Sequence, residues 1–194
     1  MEIGSEGLII ITLVIIGFYF FYSVQSEGGL IKVKSSVDNK EYMVQLKDDS
    51  KEAADLIANL KKRLNQLLEH MQRTYGNDDN RVIQLTKNYR PDNLKEGVSK
   101  PGYTSYSINK GEQIVLCLRN KGSDNLVDIN TMMFVVLHEF AHLASISIGH
   151  TEEFWDNFRW ILEEAMNIGI YTKQDFDKKS VEYCGMDITS SPLD

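Results

Sequence analysis

Apolar and polar positions change period several times along the chain, and each change marks an element. Over residues 31–46 they alternate: Ile31 and Val33 precede Asp38-Asn39, and Tyr42, Val44 and Leu46 follow it. That pattern predicts a β-hairpin or two short strands. Between residues 49 and 75 the period becomes helical. Ile57, Leu60, Leu64, Leu67 and Met71 fall three and four apart among Lys and Glu, and Gly76 ends the run. An amphipathic helix packed on the domain's own sheet is expected, in preference to a coiled-coil dimer. Val82–Leu85, Tyr103–Ile108 and Gln113–Leu118 read as strands. A polar loop containing Pro91, Gly97, Pro101 and Gly102 separates the first two, and Asn109-Lys110-Gly111 turns the last two into a hairpin. Asn130 then reads as the N-cap of a helix over Thr131–Ile148 that is apolar almost all round and so buried. Thr151 caps a further helix, with Glu152 and Glu153 favouring its N-terminal dipole and Gly169 ending it. Its core face holds Phe154, Trp155, Phe158, Ile161, Leu162 and Ala165.

The N-terminus is of another kind. Residues 7–26 carry no charge, and as a helix they would span about 30 Å, the thickness of a bilayer's hydrocarbon. A cleaved signal peptide would want a basic leader, but Glu2 and Glu6 precede this run and Phe18-Tyr19-Phe20-Phe21-Tyr22 closes it like an interfacial aromatic belt. A buried core helix would show a polar stripe. A retained single-pass membrane anchor is expected. Lys32, Lys34 and Lys40 follow the span and no basic side chain precedes it, which places the C-terminal domain on the cytoplasmic side.

The rest of the composition narrows the function. The 194 residues carry a net charge of −7, which disfavours sequence-independent nucleic-acid binding. The charge is uneven: residues 81–121 hold eight basic and three acidic side chains, residues 123–194 four basic and thirteen acidic. Solvation accounts for the acidic half; the basic stretch could face a phosphate or an acidic peptide. Two cysteines far apart, Cys117 and Cys184, exclude a disulfide scaffold and a four-cysteine zinc site and agree with a reducing compartment.

Three of the four histidines fall within thirteen residues, as His138-Glu139-Phe140-Ala141-His142 and His150. Residues i and i+4 of a helix project from one face, so His138 and His142 can reach one ion. Glu139 lies about 100° round the helix, close enough to touch a water on that ion. Gly149 permits a sharp turn that brings His150 back as a third ligand. Three protein ligands leave one tetrahedral position open, the mark of a catalytic Zn²⁺ site rather than a closed structural one, with Glu139 as general base. Without a metal, two histidines and a glutamate in so apolar a helix would be buried at a cost of several kcal/mol. His70, with no ligand-spaced partner, reads as a helix-surface residue. Cys184 is a further group whose thiolate could close the open position.

His138-Glu-Phe-Ala-His142, followed by Gly149-His150-Thr-Glu-Glu-Phe154-Trp155, resembles the WLM metalloprotease family, with the SprT group related. Tyr89-Arg90-Pro91, Ser107–Ile114 and Leu118-Arg119 follow the WLM order of elements, so the likeness covers about residues 50–168. The resemblance implies an α+β fold, a minimal zincin-like domain with an active-site helix beside a small mixed sheet. It implies His138, His142 and His150 as Zn²⁺ ligands and Glu139 as general base. Seven residues separate His142 from His150, longer than the metzincin spacing. The family is associated with proteolysis of DNA–protein crosslinks by proteins carrying extra binding tails, whereas this chain spends its extra length on the hydrophobic span.

The chain thus divides into an anchor (1–27), a linker or hairpin (28–48), a WLM-like metalloprotease domain (49–172) and a tail (173–194). The expected function is a membrane-anchored zinc endopeptidase acting on protein substrates. In zincins a sheet-edge strand pairs with the extended substrate, and Gln113–Leu118 is the expected edge. Tyr103, Tyr106 and Tyr183 are equal candidates for stabilising the oxyanion. The alternative is a structural membrane protein keeping the fold. Small membrane-tethered WLM-like proteins resemble those of large DNA viruses, which points to a virion inner membrane and to capsid or other membrane-associated proteins as partners.

Overall fold

The computed structural model describes residues 12–17, 29–76, 78–98 and 104–194. The expected anchor, residues 7–26, lies outside these except for residues 12–17, which are helical and exposed. Among the described residues no helix is long and apolar enough to cross a membrane.

Alternation builds the first hairpin as expected: β1 (Leu30–Lys34) pairs antiparallel with β2 (Glu41–Gln45), Lys32 opposite Met43. The helical period builds α1 (Ser50–Tyr75), which buries Ile57, Leu60, Leu64, Leu67 and Met71. Residues 82–85, expected as a strand, lie instead in α2 (Asn80–Asn88). Four apolar-rich residues do not fix a period. What decides is Asp79, whose side chain accepts from the Arg81 backbone N–H as an N-cap, so that Val82 and Leu85 face the core one turn apart. A 3₁₀ turn, Pro91–Asn93, leads into β3 (Leu94–Glu96), a strand inside the stretch expected as loop.

β3 changes the sheet. It runs parallel to β5 (Gln113–Leu116), which pairs antiparallel with β4 (Tyr106–Ile108) on its other side. The order is β3-β5-β4, so β5 is central and β3 and β4 are the two edges, β4 being the one beside the histidine-bearing helix. The expectation that Gln113–Leu118 forms the edge is therefore corrected. Buried Glu96 links this sheet to the first hairpin, accepting from the Gln45 backbone N–H at 2.7 Å and from Arg119 Nε at 2.8 Å.

The histidine-bearing helix, α3 (Ile129–Ala144), starts two residues earlier and ends four residues sooner than its pattern suggests. Asp128, not Asn130, is the N-cap and accepts from the backbone N–H groups of Asn130 and Thr131. At the other end Ser145 turns extended, and the Ile146 and Ser147 N–H groups donate to the Glu153 carboxylate at 2.8 and 2.9 Å. Those bonds replace further helical turns and leave Ile146 and Ile148 exposed. α4 (Glu152–Asn167) begins at Thr151, whose hydroxyl accepts from the Phe154 N–H as the pattern predicts, and Gly169 follows its end in the left-handed region.

Beyond α4 the chain folds back as a second hairpin, β6 (Val181–Tyr183) and β7 (Met186–Ile188). Cys184 and Gly185 form its two-residue turn, both at positive φ, as a type I′ turn requires. The turn brings Cys184 to Cys117, just past β5, and the two form a disulfide with Cα atoms 6.2 Å apart. The reading of two isolated cysteines, and of Cys184 as a thiolate near the metal, is thereby corrected: the fold closes a separation of 67 residues that sequence spacing could not reveal.

Candidate metal centre and active site

One turn of α3 places the His138 and His142 rings side by side, and the loop after it returns His150 to them. The three imidazoles form a near-equilateral triangle, every pair of ring centroids 5.0 Å apart. One nitrogen of each ring lies within 4.8 Å of the others, and the Nε2 atoms of His138 and His150 approach to 3.1 Å. Gly149 at φ +83° makes the return possible.

Beneath the triangle sits Phe154, fully buried, with its ring centroid 4.9, 4.3 and 4.7 Å from those of His138, His142 and His150. Sequence reasoning placed Phe154 among the core residues of α4. The structure makes it also the floor that fixes all three rings. Its position one turn after His150, just inside the Thr151 cap, was the available signal.

The electrostatics suit a cation. Burial, reinforced by His142 and His150, pushes the His138 imidazole down to about 3; burial, then His150 and Lys110, pushes His142 down to about 4. Both rings are therefore neutral at pH 7 and keep lone pairs to offer. Three imidazole nitrogens converging at this distance, with no carboxylate in the set, fit a four-coordinate divalent zinc-type ion with one position left for another ligand.

Glu139 is buried on the adjoining face. Burial pushes its carboxyl up to about 7, opposed by the hydroxyl and backbone N–H of Ser107. Ser107 lies on β4, so the edge strand meets the active-site helix at Glu139. The cleft above has a volume of about 490 Å³ and is bounded by the three histidines, Glu139, residues 104–107 leading into β4, and the Ser147–His150 loop. A smaller apolar pocket of about 140 Å³ adjoins it, walled by Phe134 and Val135 of α3 and by Met186 and Ile188 of the second hairpin.

The remaining candidates separate. Tyr103 lies outside the described residues. Tyr106 lines the histidine cleft. Tyr183 lines the apolar pocket instead, its buried hydroxyl bonded to that of Ser105, which in turn accepts from the Cys117 N–H. His70 is apart from the site, as expected, but is not simply solvated: its Nε2 lies 2.6 Å from the buried Glu164 carboxylate, which Tyr75 also reaches.

A helix-borne pair of histidines with an intervening glutamate, completed by a third histidine and set beside a small mixed sheet, is a candidate metal site on an α+β fold. The WLM domain, of a family that is generally of zinc metallopeptidase type, matches residues 38–192, and the chain belongs to that family. The matched region takes in β2 but not β1 of the first hairpin, and the whole of the second. An uncharacterized protein of Acanthamoeba polyphaga mimivirus is 31% identical over 95% of each chain. Another uncharacterized protein, of Invertebrate iridescent virus 6, is 29% identical over 86% of this chain and 92% of its own. Among solved structures, Wss1 from Saccharomyces cerevisiae shares the fold with a TM-score of 0.50 at 19% identity, over 64% of this chain and 85% of its own.

Proposed function

We propose that the chain is a membrane-anchored zinc endopeptidase that hydrolyses protein substrates, and that it is virus-encoded like the relatives it resembles. The observation that carries the peptidase reading is the convergence of His138, His142 and His150 beside a buried Glu139 in an open cleft. The three histidines are the ligands in this reading. Zinc held there would polarise the scissile carbonyl and make water nucleophilic near neutral pH.

The chain's own residues do the rest. In this reading an extended substrate backbone pairs along the β4 edge, which lays the scissile bond across the cleft. Glu139 takes the proton of the attacking water as the carbon–oxygen bond forms. It delivers that proton to the departing amine as the carbon–nitrogen bond breaks. An apolar side chain next to the scissile bond enters the pocket between Val135 and Met186. The membrane reading rests on the uncharged stretch 7–26, long enough as a helix to span a bilayer.

The test is cleavage of an unfolded protein by the full chain in detergent. Activity should vanish with a chelator and return with added Zn²⁺. Cleavage that persists without metal overturns the mechanism, and no cleavage under any metal condition moves the structural-membrane-protein reading ahead.

A further inference from the structure

The turn between β4 and β5 is the most strained segment beside the cleft. Asn109, Lys110 and Gly111 all have positive φ, at 46°, 52° and 95°. A run of left-handed residues that includes a lysine persists only where its surroundings hold it. Here they do. A Cβ on Gly111 would come within 2.4 Å of the Asn88 carbonyl oxygen and 2.9 Å of Leu143, and the Asn88 amide donates to the Leu143 carbonyl at 2.9 Å. The ends of α2 and α3 are thus clamped to the turn. Lys110, carried on it, donates to the carbonyls of Ser145 and Ile146 at the C-terminus of α3.

Behind this turn lies a second cavity, of about 260 Å³, walled by Lys87, Asn88, Arg90, Asn93, Asn109, Lys110 and Glu112. Three of its side chains are cationic and one is anionic. Among the described residues neither Lys87 nor Arg90 pairs with a carboxylate; Arg90 donates only to the neighbouring Tyr89 carbonyl, at 3.1 Å. Lys110 donates to carbonyls and its charge is shared with the Glu153 carboxylate, while Lys87 and Arg90 remain the cavity's unpaired cations. The one acid, Glu112, is held by the Asn109 amide at 2.6 Å. Asn109 and Lys110 line this cavity and the histidine cleft alike, so the two adjoin across the turn.

We propose that this cavity is a substrate subsite for an acidic side chain, an Asp or Glu a few residues from the scissile bond, with Lys87, Arg90 and Lys110 as its specificity-determining residues. The proposal rests on the peptidase reading. A substrate strand paired with β4 leaves that edge over the 109–111 turn, which is where the cationic cavity opens. The charge distribution favours a single carboxylate over a polyanion. The chain carries −7 in total, with the acidic excess concentrated in residues 123–194, and repels an extended nucleic acid, while the cavity stays locally positive. Preorganisation by the clamped turn lets it bind without reordering the loop.

The test measures binding and cleavage separately on the full chain in detergent. Two fluorescent peptides are used, alike except that a pair of Glu in one is Gln in the other. By anisotropy on Glu139→Gln protein, the acidic peptide should bind about tenfold more tightly at low salt, with the difference shrinking as salt rises. Lys87→Glu with Arg90→Glu should bring the two peptides within about twofold and leave the Gln peptide unchanged. Both side chains are exposed, so the fold tolerates the change, which thermal melting checks. Lys32→Glu with Lys34→Glu, on β1, controls for net charge and should keep the preference. Equal binding of both peptides to unaltered Lys87 and Arg90 overturns the proposal. So does an oligonucleotide of equal length that binds more tightly and loses that binding in the same double variant, which would make the cavity a phosphate site. Acidic preference in binding without cleavage by the wild type would instead sink the peptidase reading and leave the cation site standing.

Discussion

Reducing the Cys117–Cys184 disulfide should cost this domain a large part of its stability. The bond joins the end of β5 to the turn of the β6–β7 hairpin across 67 residues of sequence. In the chain-entropy account, closing a loop of that length in the unfolded state corresponds to roughly 4 kcal/mol at 25 °C. Folded domains of this size are stable by only about 5–15 kcal/mol, so the effect is measurable against the whole. Reduction suits the purpose better than substitution, because it leaves both sulfurs in place and changes no volume at buried Cys184. The assay is urea unfolding followed by tryptophan fluorescence, with and without a phosphine reductant, after thiol titration has confirmed the starting state. With a slope of about 2 kcal/mol/M, the midpoint should fall by about 2 M. Hydrogen exchange should show Val181–Ile188 loosening first, because among the described residues β6 and β7 pair only with each other. A midpoint shift under about 0.3 M would refute the reasoning, as would two free thiols in the unreduced native protein.

Three further outcomes follow from the same geometry. His150→Ala should lower zinc affinity at least about a hundredfold, measured by competition with a chromophoric chelator, while His70→Ala, which loses only its bond to Glu164, should keep the metal. Gly111→Ala should lower the melting temperature by about 4–10 °C, the consequence of roughly 1–3 kcal/mol of strain, because the new methyl meets the Asn88 oxygen at 2.4 Å and φ is +95°. Hydrogen bonds from Lys61 and Lys40 hold the Asp92 carboxyl down at about 2; a depressed carboxyl stabilises the fold fully above its unfolded pKa near 4 and ceases to do so as pH falls through about 2, so the stability lost between those values should shrink in Asp92→Asn, by titration of the urea midpoint.

How much of this was legible in the sequence depended on whether the deciding interaction was local. Strong periods, as in α1, and local caps, as at Thr151, speak for themselves, because their partners lie within one turn. The pairing of His138 with His142, and Glu139 on the adjoining face, were legible for the same reason: one turn of helix sets their geometry. His150 needed only the Gly149 turn and the resemblance to the family. What escaped was settled across the fold. Val82–Leu85 is too short to show its period, and Asp79 decides it. β3 is three residues long within a polar stretch, and only its parallel pairing with β5 reveals it; the same pairing makes β5 central. The return of Cys184 to Cys117 and the pocket wall formed by Met186 and Ile188 depend on a hairpin far beyond the histidine motif. The role of Phe154 was hidden because a core aromatic and a floor under ligands look alike in sequence.

The most direct test of the central claim is a paired measurement on wild type and Glu139→Gln: zinc per chain, and the rate of cleavage of an unfolded protein. Glutamine keeps the shape and hydrogen-bonding reach of Glu139 but cannot accept a proton from water. General-base catalysis is worth roughly 10²–10⁴-fold, so cleavage should fall by at least about a hundredfold. Zinc should stay at one per chain in both proteins, because Glu139 lies outside the three-histidine group that could hold the ion. Equal cleavage by the two proteins, or loss of zinc from Glu139→Gln, would contradict the assignment of His138, His142 and His150 as ligands with Glu139 as base.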